Sequence, residues 1–339
     1  MSKAPKRAAK TRPSFLWRLL KGLYITLFVL SLIVVAGYAA LNIFAPAPTV
    51  DSQVTIDPNR RVSSPPVGTG APEASPALNP DSLVLNRRDG VFTCLLLGVA
   101  DIGGTDTIML GVFDTNNKTA SLISIPRDTV VYYNGRYQKI NATYAGGTEA
   151  VAGAVHDLLG VPVDYWVSVN LKAFSSIVNQ IGGVYFNVPV DMDYDDPYQN
   201  LSIHIKAGYQ LLDGKKAEGV MRCRSCYANA DIGRSATQRA FLAALAKQTI
   251  TLSNVTKVTS LINILNTYVE SDMPLNVMVY FGTQAVGMDL DSALETGGLA
   301  GEWINPYWEL DDDAILELVN GLGIYEEEVP AAVLNIVHP

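Results

Sequence analysis

The feature that most constrains this chain is a run of 23 residues, Gly22 to Phe44, without one charged side chain. About 20 apolar residues in a helix span the hydrocarbon core of a bilayer, whereas a secretory leader has a shorter apolar core of about 7–15 residues. The length predicts a retained transmembrane helix over residues 22–44; Ala39-Ala40 is where a cleavable leader would be cut. Residues 1–21 carry seven cations, Lys3, Lys6, Arg7, Lys10, Arg12, Arg18 and Lys21, and no acid. Such a flank stays in the cytoplasm by the positive-inside rule. The expectation is a single-pass protein of the cell membrane, with its N-terminus in the cytoplasm and everything after the span outside.

The charge beyond the span is strongly negative. All 33 acids lie there with 18 of the 25 cations, a balance of −15. That surface repels nucleic acid, whose non-specific binding requires phosphate neutralisation, so no nucleic-acid partner is expected. An anion handled outside the membrane needs a local cluster of cations.

Residues 45–81 hold eight of the 18 prolines among Ser, Thr, Ala and Gly, the composition of an extended linker. The folded part is expected over residues 82–339. Strand and helix patterns alternate there. Strands are predicted at Val91–Leu97, Asp106–Phe113 and Thr119–Ile125, the last two joined as a hairpin by Thr115-Asn-Asn-Lys118. Thr148 is expected to cap a helix ending at Leu159, and Gly182-Gly183 to stop another begun at Leu171. Further strands are predicted at Val163–Val169, Val184–Val188 and Gly219–Arg224. Asp231 is expected to cap a long helix, and later helices are predicted near Val255–Tyr268, Pro274–Val286 and Asp311–Leu322. This alternation predicts a single α/β domain, a central mixed sheet covered by helices on both faces.

Four of the six arginines after residue 90 fall within 18 positions: Arg222, Arg224, Arg234 and Arg239. On a strand, Arg222 and Arg224 share a face; on the following helix Arg234 and Gln238 do, beside free N–H groups that favour an anion. Arginine is suited to bidentate phosphate binding, although the excess of acids also allows plain surface ion pairs. Asp101 and Asp106 bracket a Gly-Gly turn directly after a buried strand. Ligands sit at the carboxyl ends of strands in such sheets, and Mg²⁺ takes one or two carboxylates with substrate phosphate; a polar turn is the simpler account of either Asp alone. Pro126 ends another strand and places Arg127 and Asp128 at the same sheet edge, with Lys139 a short loop later. Cys94 reads as a buried thiol. For Cys223 and Cys226 a local disulfide ranks first, inert thiols second and a redox pair third.

Together these segments resemble the LytR-CpsA-Psr family of cell-envelope proteins. The matching order is Leu95-Leu-Leu-Gly-Val-Ala-Asp101, Thr105-Asp-Thr-Ile-Met-Leu110, Ser124-Ile-Pro-Arg-Asp128, Lys139-Ile-Asn-Ala-Thr-Tyr-Ala-Gly-Gly147, Gly182-Gly-Val184, Asp191–Pro197, Gly208–Gly214, Arg222-Cys-Arg224 and Asp231-Ile-Gly-Arg234 with Gln238. The resemblance implies a phosphotransferase that moves a phosphorylated glycopolymer from a polyprenyl-pyrophosphate carrier to peptidoglycan, with Mg²⁺ as cofactor. It implies that Asp101 and Asp106 hold the metal, that Arg127, Arg222, Arg224, Arg234, Gln238 and Asp128 form the catalytic pyrophosphate site, and that Lys139 and Arg239 support the substrate. A transcriptional attenuator, a non-catalytic polyprenyl-phosphate-binding module and hydrolytic release of the glycan are the alternatives. The chain departs from the family pattern at Thr237, where an Arg often precedes the Gln, and at Ser225-Cys-Tyr-Ala-Asn229, where His or Asp often follows the Arg pair.

Overall fold

The computed structural model describes residues 45–57, 82–99, 104–199, 201–228, 230–249, 269–286 and 288–339. The expected span at 22–44, the basic tail, Asp101 and the helix expected at Val255–Tyr268 lie outside the described residues. Among the described residues no helix is long and apolar enough to cross a membrane.

The folded unit begins earlier than the composition suggests. Strand β1 (Gln53–Ile56) pairs antiparallel with β2 (Leu83–Asn86), and Val54, Ile56 and Leu85 are buried in the main core. The linker expectation fails at this point because four residues that alternate polar and apolar are enough for a half-buried strand, however Pro-rich their surroundings.

Among the described residues the central sheet has six strands in the order β13 (Val269–Ser271), β8 (Tyr165–Asn170), β3 (Val91–Val99), β4 (Thr105–Asp114), β5 (Thr119–Ile125) and β14 (Leu294–Gly298). β3 runs parallel to β8 and β5 parallel to β14, while β4 and β13 run opposite to their neighbours. The sheet is therefore mixed. Four of its strands end at one edge, where β4 begins.

Alternate residues of these strands serve different layers. Leu95 and Leu97 of β3, Ile108 and Leu110 of β4, and Ile123 and Ile125 of β5 face one layer. They pack there on α1 (Thr148–Leu159) through Val151, Val155 and Leu158, and on α7 (Asp312–Gly321) through Ile315 and Val319. α1 starts from Gly147, with no side-chain cap from Thr148, and stops at Gly160 in the left-handed conformation. On the same layer lies a hairpin of β6 (Val130–Tyr133) and β7 (Arg136–Lys139), which contributes Val131 and Tyr133 to this core. The opposite layer holds α4 (Asp231–Thr249) and α5 (Leu275–Ala285). Between them and the sheet is an almost wholly apolar cleft of about 390 Å³, lined among others by Cys94, Leu96, Leu122, Leu242, Ala246 and Phe281.

A second core joins α2 (Leu171–Gln180), β9 (Val184–Val188), β10 (Met192–Asp196), β11 (Leu201–Ile205), β12 (Gly208–Leu212) and α3 (Gly214–Arg222). Gly182 and Gly183 end α2 with φ of 92° and 90°, a conformation open to glycine. Phe241 of α4 is fully buried in this core, against Phe174 and Phe186. After a short α6 (Leu290–Ala293), β14 leads to a hairpin of β15 (Gly301–Ile304) and β16 (Tyr307–Leu310). The strand expected at Gly219–Arg224 is instead the end of α3, whose N-cap Asp213 accepts from the Lys216 amide.

Candidate functional site

The sheet edge where β5 ends and β4 begins gathers the charged residues. Ile108 pairs with Ile125 in register, so Asp106 and Arg127 meet just beyond that pair, and Arg127 Nη1 donates to the Asp106 carboxylate. Arg127 Nε stands 3.9 Å from Asp128, and buried Asp128 takes Lys139 Nζ at 2.9 Å. Burial opposes the charge of Arg127. Its hydrogen bond to Asp106, with the charges of Asp106, Asp128 and Asp231, outweighs burial and raises its pKa.

The first turn of α4 closes the group from the other side. Asp231 pairs with Arg234 and lies 3.7 Å from Arg224 Nε. Arg234 Nη2 also donates to the backbone oxygen of Asp106 at 3.1 Å, tying α4 to β4. Burial lowers the Arg234 pKa, and Asp231 and Asp106 offset part of that. Asp106, Arg127, Asp128, Lys139, Arg224, Asp231 and Arg234 thus form one connected network. Asp231 was legible in the sequence as a helix start and as the first residue of the Asp231-Ile-Gly-Arg234 motif; its role as the acid shared by two arginines needs the fold of the 224–231 turn.

Two expected site residues, Gln238 and Arg222, play other parts. Gln238 Nε2 donates to the Met221 carbonyl at 2.9 Å and so braces α4 against the last turn of α3. Arg222 does not share a strand face with Arg224, since α3 ends there. It pairs at 3.2 Å with Glu218 one turn earlier, and Glu218 accepts from Ser175. Cys223 and Cys226 are joined by a disulfide, with Cα atoms 5.7 Å apart, which ties off the turn carrying Arg224. Thr237 is buried.

Arg239 enters the site from the cleft side. Arg239, Leu242, Ala243 and Ala246 recur at helical spacing on one face of α4, and the last three line the cleft. The arginine therefore stands at the cleft's end. Its Nη1 lies 3.1 Å from the position a Cβ on Gly298 would take, beside the paired ends of β5 and β14. No acid pairs with it among the described residues, and burial alone lowers its pKa. The Nε groups of Arg127, Arg234 and Arg239 are each buried without a hydrogen-bond acceptor. Buried donors are almost always satisfied, so three orphaned guanidinium nitrogens around one edge fit a bound polyanion.

The fit for a cation is poorer. Asp106 is 46% exposed and already engaged by Arg127. Among the described residues no group of three or more His, Cys, Asp or Glu side chains could hold a metal ion. Asp101, the other expected ligand, lies outside them.

Comparison with known proteins places the chain in one family. The model of the LytR_cpsA_psr family matches residues 62–320. The polyisoprenyl-teichoic acid–peptidoglycan teichoic acid transferase TagV of Bacillus subtilis is 32% identical over 187 residues, 52% of this chain and 48% of the relative. The transferase TagU of the same organism is 30% identical over 201 residues, 57% of this chain and 63% of the relative. This chain spans about half to two thirds of the length of such relatives. The crystal structure of B. subtilis TagV superposes with a TM-score of 0.61 at 26% identity, covering 69% of this chain and 96% of that one. A structure described as TagT bound to LIIa-WTA gives 0.57 at 25% identity, covering 69% and 90%.

Proposed function

This chain belongs to the LytR-CpsA-Psr family, and from that premise we propose that it transfers a phosphorylated glycopolymer from a polyprenyl-pyrophosphate carrier to peptidoglycan. One observation carries the reading: an apolar cleft of about 390 Å³ leads along one face of α4 to Arg239, which no acid pairs among the described residues, at the sheet edge that also gathers Arg127 and Arg234. A polyprenyl pyrophosphate has that profile, an apolar chain ending in two phosphates. Arg239 stands where chain meets phosphate. The curated relatives are named as transferases between polyisoprenyl-linked teichoic acid and peptidoglycan, which supports the same direction of transfer.

The chemistry asks for positioning and charge stabilisation rather than a covalent intermediate. An acceptor hydroxyl attacks the phosphorus next to the glycan, and the P–O bond to the lipid phosphate breaks. Polyprenyl phosphate leaves with the electron pair, and the hydroxyl proton passes to a carboxylate. Asp106 is the exposed acid at this edge. Arg127, Arg224 and Arg234 are held in place by Asp106 and Asp231 before substrate arrives, so they stabilise developing charge without reorganising. A Mg²⁺ ion on Asp101 and Asp106 remains an expectation from their spacing; it would compete with Arg127 for Asp106, and no step is routed through it. The uncharged stretch and basic tail would anchor the chain with this site outside the cytoplasm.

The test is transfer by the full chain from a polyprenyl-pyrophosphate glycan to a peptidoglycan fragment, with organic extraction of the purified protein beside it. Polyprenyl phosphates in the extract and glycan phosphate on the fragment are expected. An empty extract with no product would end the reading. A reporter fused after Pro339 should be active only outside the cytoplasm.

A further inference from the structure

Lys139 reaches beyond its bond to Asp128. Its Nζ also sits 5.5 Å from the ring centre of Trp303, within cation–π range. Trp303, on β15, is 52% exposed, and Tyr137, on β7, is 45% exposed. Tyr137 and Lys139 are two apart on one strand and share a face. The β15–β16 hairpin is fixed to this ridge: Trp308 N donates to the Asp128 carbonyl at 2.9 Å and the Tyr307 hydroxyl to the Tyr137 carbonyl at 3.4 Å. Two exposed aromatic rings are thus indexed through Asp128 to its neighbour Arg127.

The ridge lies on a definite side. β6 inserts Val131 and Tyr133 into the core on the α1 and α7 layer. The apolar cleft opens on the opposite layer, under α4 and α5. The arginine cluster sits at the sheet edge between the two. Entering and leaving oxygens are roughly in line across a transferring phosphorus. With the lipid phosphate leaving on the cleft side, the attacking oxygen comes from the side of Lys139 and Trp303.

We infer that Trp303, Tyr137 and Lys139 form the acceptor subsite and that its occupant is a sugar ring of the acceptor glycan. The inference rests on the transfer reading above. An aromatic face suits the C–H face of a hexose, as amphipathic rings with one wet edge suit a wet binding surface. The Lys139 ammonium offers donors to ring hydroxyls or to an acidic sugar. The subsite takes part in binding only; bonds form and break at the phosphorus, as already described.

The experiment uses the full chain and a lipid-free oligosaccharide of alternating N-acetylated hexosamines as probe. Its binding is followed by tryptophan fluorescence and NMR, and polyprenyl-pyrophosphate donor binding is measured separately. Trp303→Ala should weaken the oligosaccharide about tenfold and leave donor affinity within about twofold. Trp303→Phe should recover most of the loss, and the isolated peptide stem should not compete. Equal oligosaccharide binding by wild type and Trp303→Ala, no binding by wild type, competition by the peptide stem, or a loss confined to the donor would each overturn the assignment. Donor that fails to bind wild-type protein while the oligosaccharide binds through Trp303 would sink the transfer reading and leave the sugar subsite standing.

Discussion

The two faces of the central sheet are made from alternate residues of the same strands and end in opposite states. Leu95, Leu97, Ile108, Leu110 and Ile123 are buried to within a few per cent against α1 and α7. Cys94, Leu96 and Leu122 border an apolar space that α4 and α5 leave unfilled. Protein interiors are close-packed and forfeit contact energy at any void. One filled face therefore supports the domain, and the other gives up some packing for room. Arg239 sits where the second face ends, beside the paired ends of β5 and β14.

The largest effect separates the faces by stability. Leu110→Ala, on the filled face, should cost about 2–5 kcal/mol by chemical denaturation, whereas Leu96→Ala in the cleft should cost less than about 1 kcal/mol because its neighbours are already incomplete. Equal losses would mean that the cleft is packed like the core. A filling substitution reverses the logic. Ala246→Trp should reduce lipid-donor affinity more than about tenfold and leave the unfolding free energy unchanged or higher. Unaltered donor binding would show that the chain of the lipid lies elsewhere.

The third test concerns the unpaired cation at the cleft's end. Arg239→Met removes a half-buried charge with no acid pairing it among the described residues, so the free protein should melt at the same or a slightly higher temperature, while donor affinity falls about tenfold. A lower melting temperature would show that Arg239 serves the fold. The smallest effect is a pH dependence. Burial in the cleft, with Asp272 and Asp164 adding to it, pushes the Cys94 thiol from 9.0 up to about 12. The folded state then holds a proton that the unfolded state loses first. Stability from this group is whole below about pH 9 and declines as pH rises toward 12, by at most about 1.4 kcal/mol per unit. Tyr165, raised by burial and by Asp164 and Asp272, works in the same direction. The Cys94→Ala variant should therefore lose less stability than wild type between pH 9 and 11; identical slopes would argue that water reaches the thiol.

Segments whose local pattern and tertiary setting agree were legible in the sequence. Thr119–Ile125 and Val184–Val188 are strands with the expected bounds, each a short β-favouring run cut off by Pro or by turn residues. Residues 214–222 were not. Gly214 and Gly219 are poor helix formers, which hides α3, and tertiary contact requires them. A Cβ on Gly214 would fall 2.2 Å from the Ser175 carbonyl oxygen, and one on Gly219 would press on Ile203 and Ile205 at 3.3 Å. The Pro-rich composition around residues 45–81 hid β1 in the same way. Around the candidate site, spacing singled out Arg222, Arg224, Arg234 and Arg239 as a cation cluster in an acidic chain, and Pro126 marked Arg127 at a strand end; the structure brings Arg127, Arg224 and Arg234 into one network. Spacing misassigned the geometry of Arg222 and overlooked the shared role of Asp231, because the partners of both depend on where α3 ends. Trp303 carried no signal at all. Its meaning comes from a hairpin more than 160 residues away in sequence from Lys139.

The pairing of β14 with β5 sets an order of events. Ala120 lies beside Leu294 and Ser124 beside Gly298, and Arg239 rests against that last residue. Contacts between residues so far apart in sequence form late, because a long loop must close before they repay its entropy. A growing polypeptide can complete β3, β4 and β5 and still lack the Gly298 backbone against which Arg239 rests, until β14 has docked.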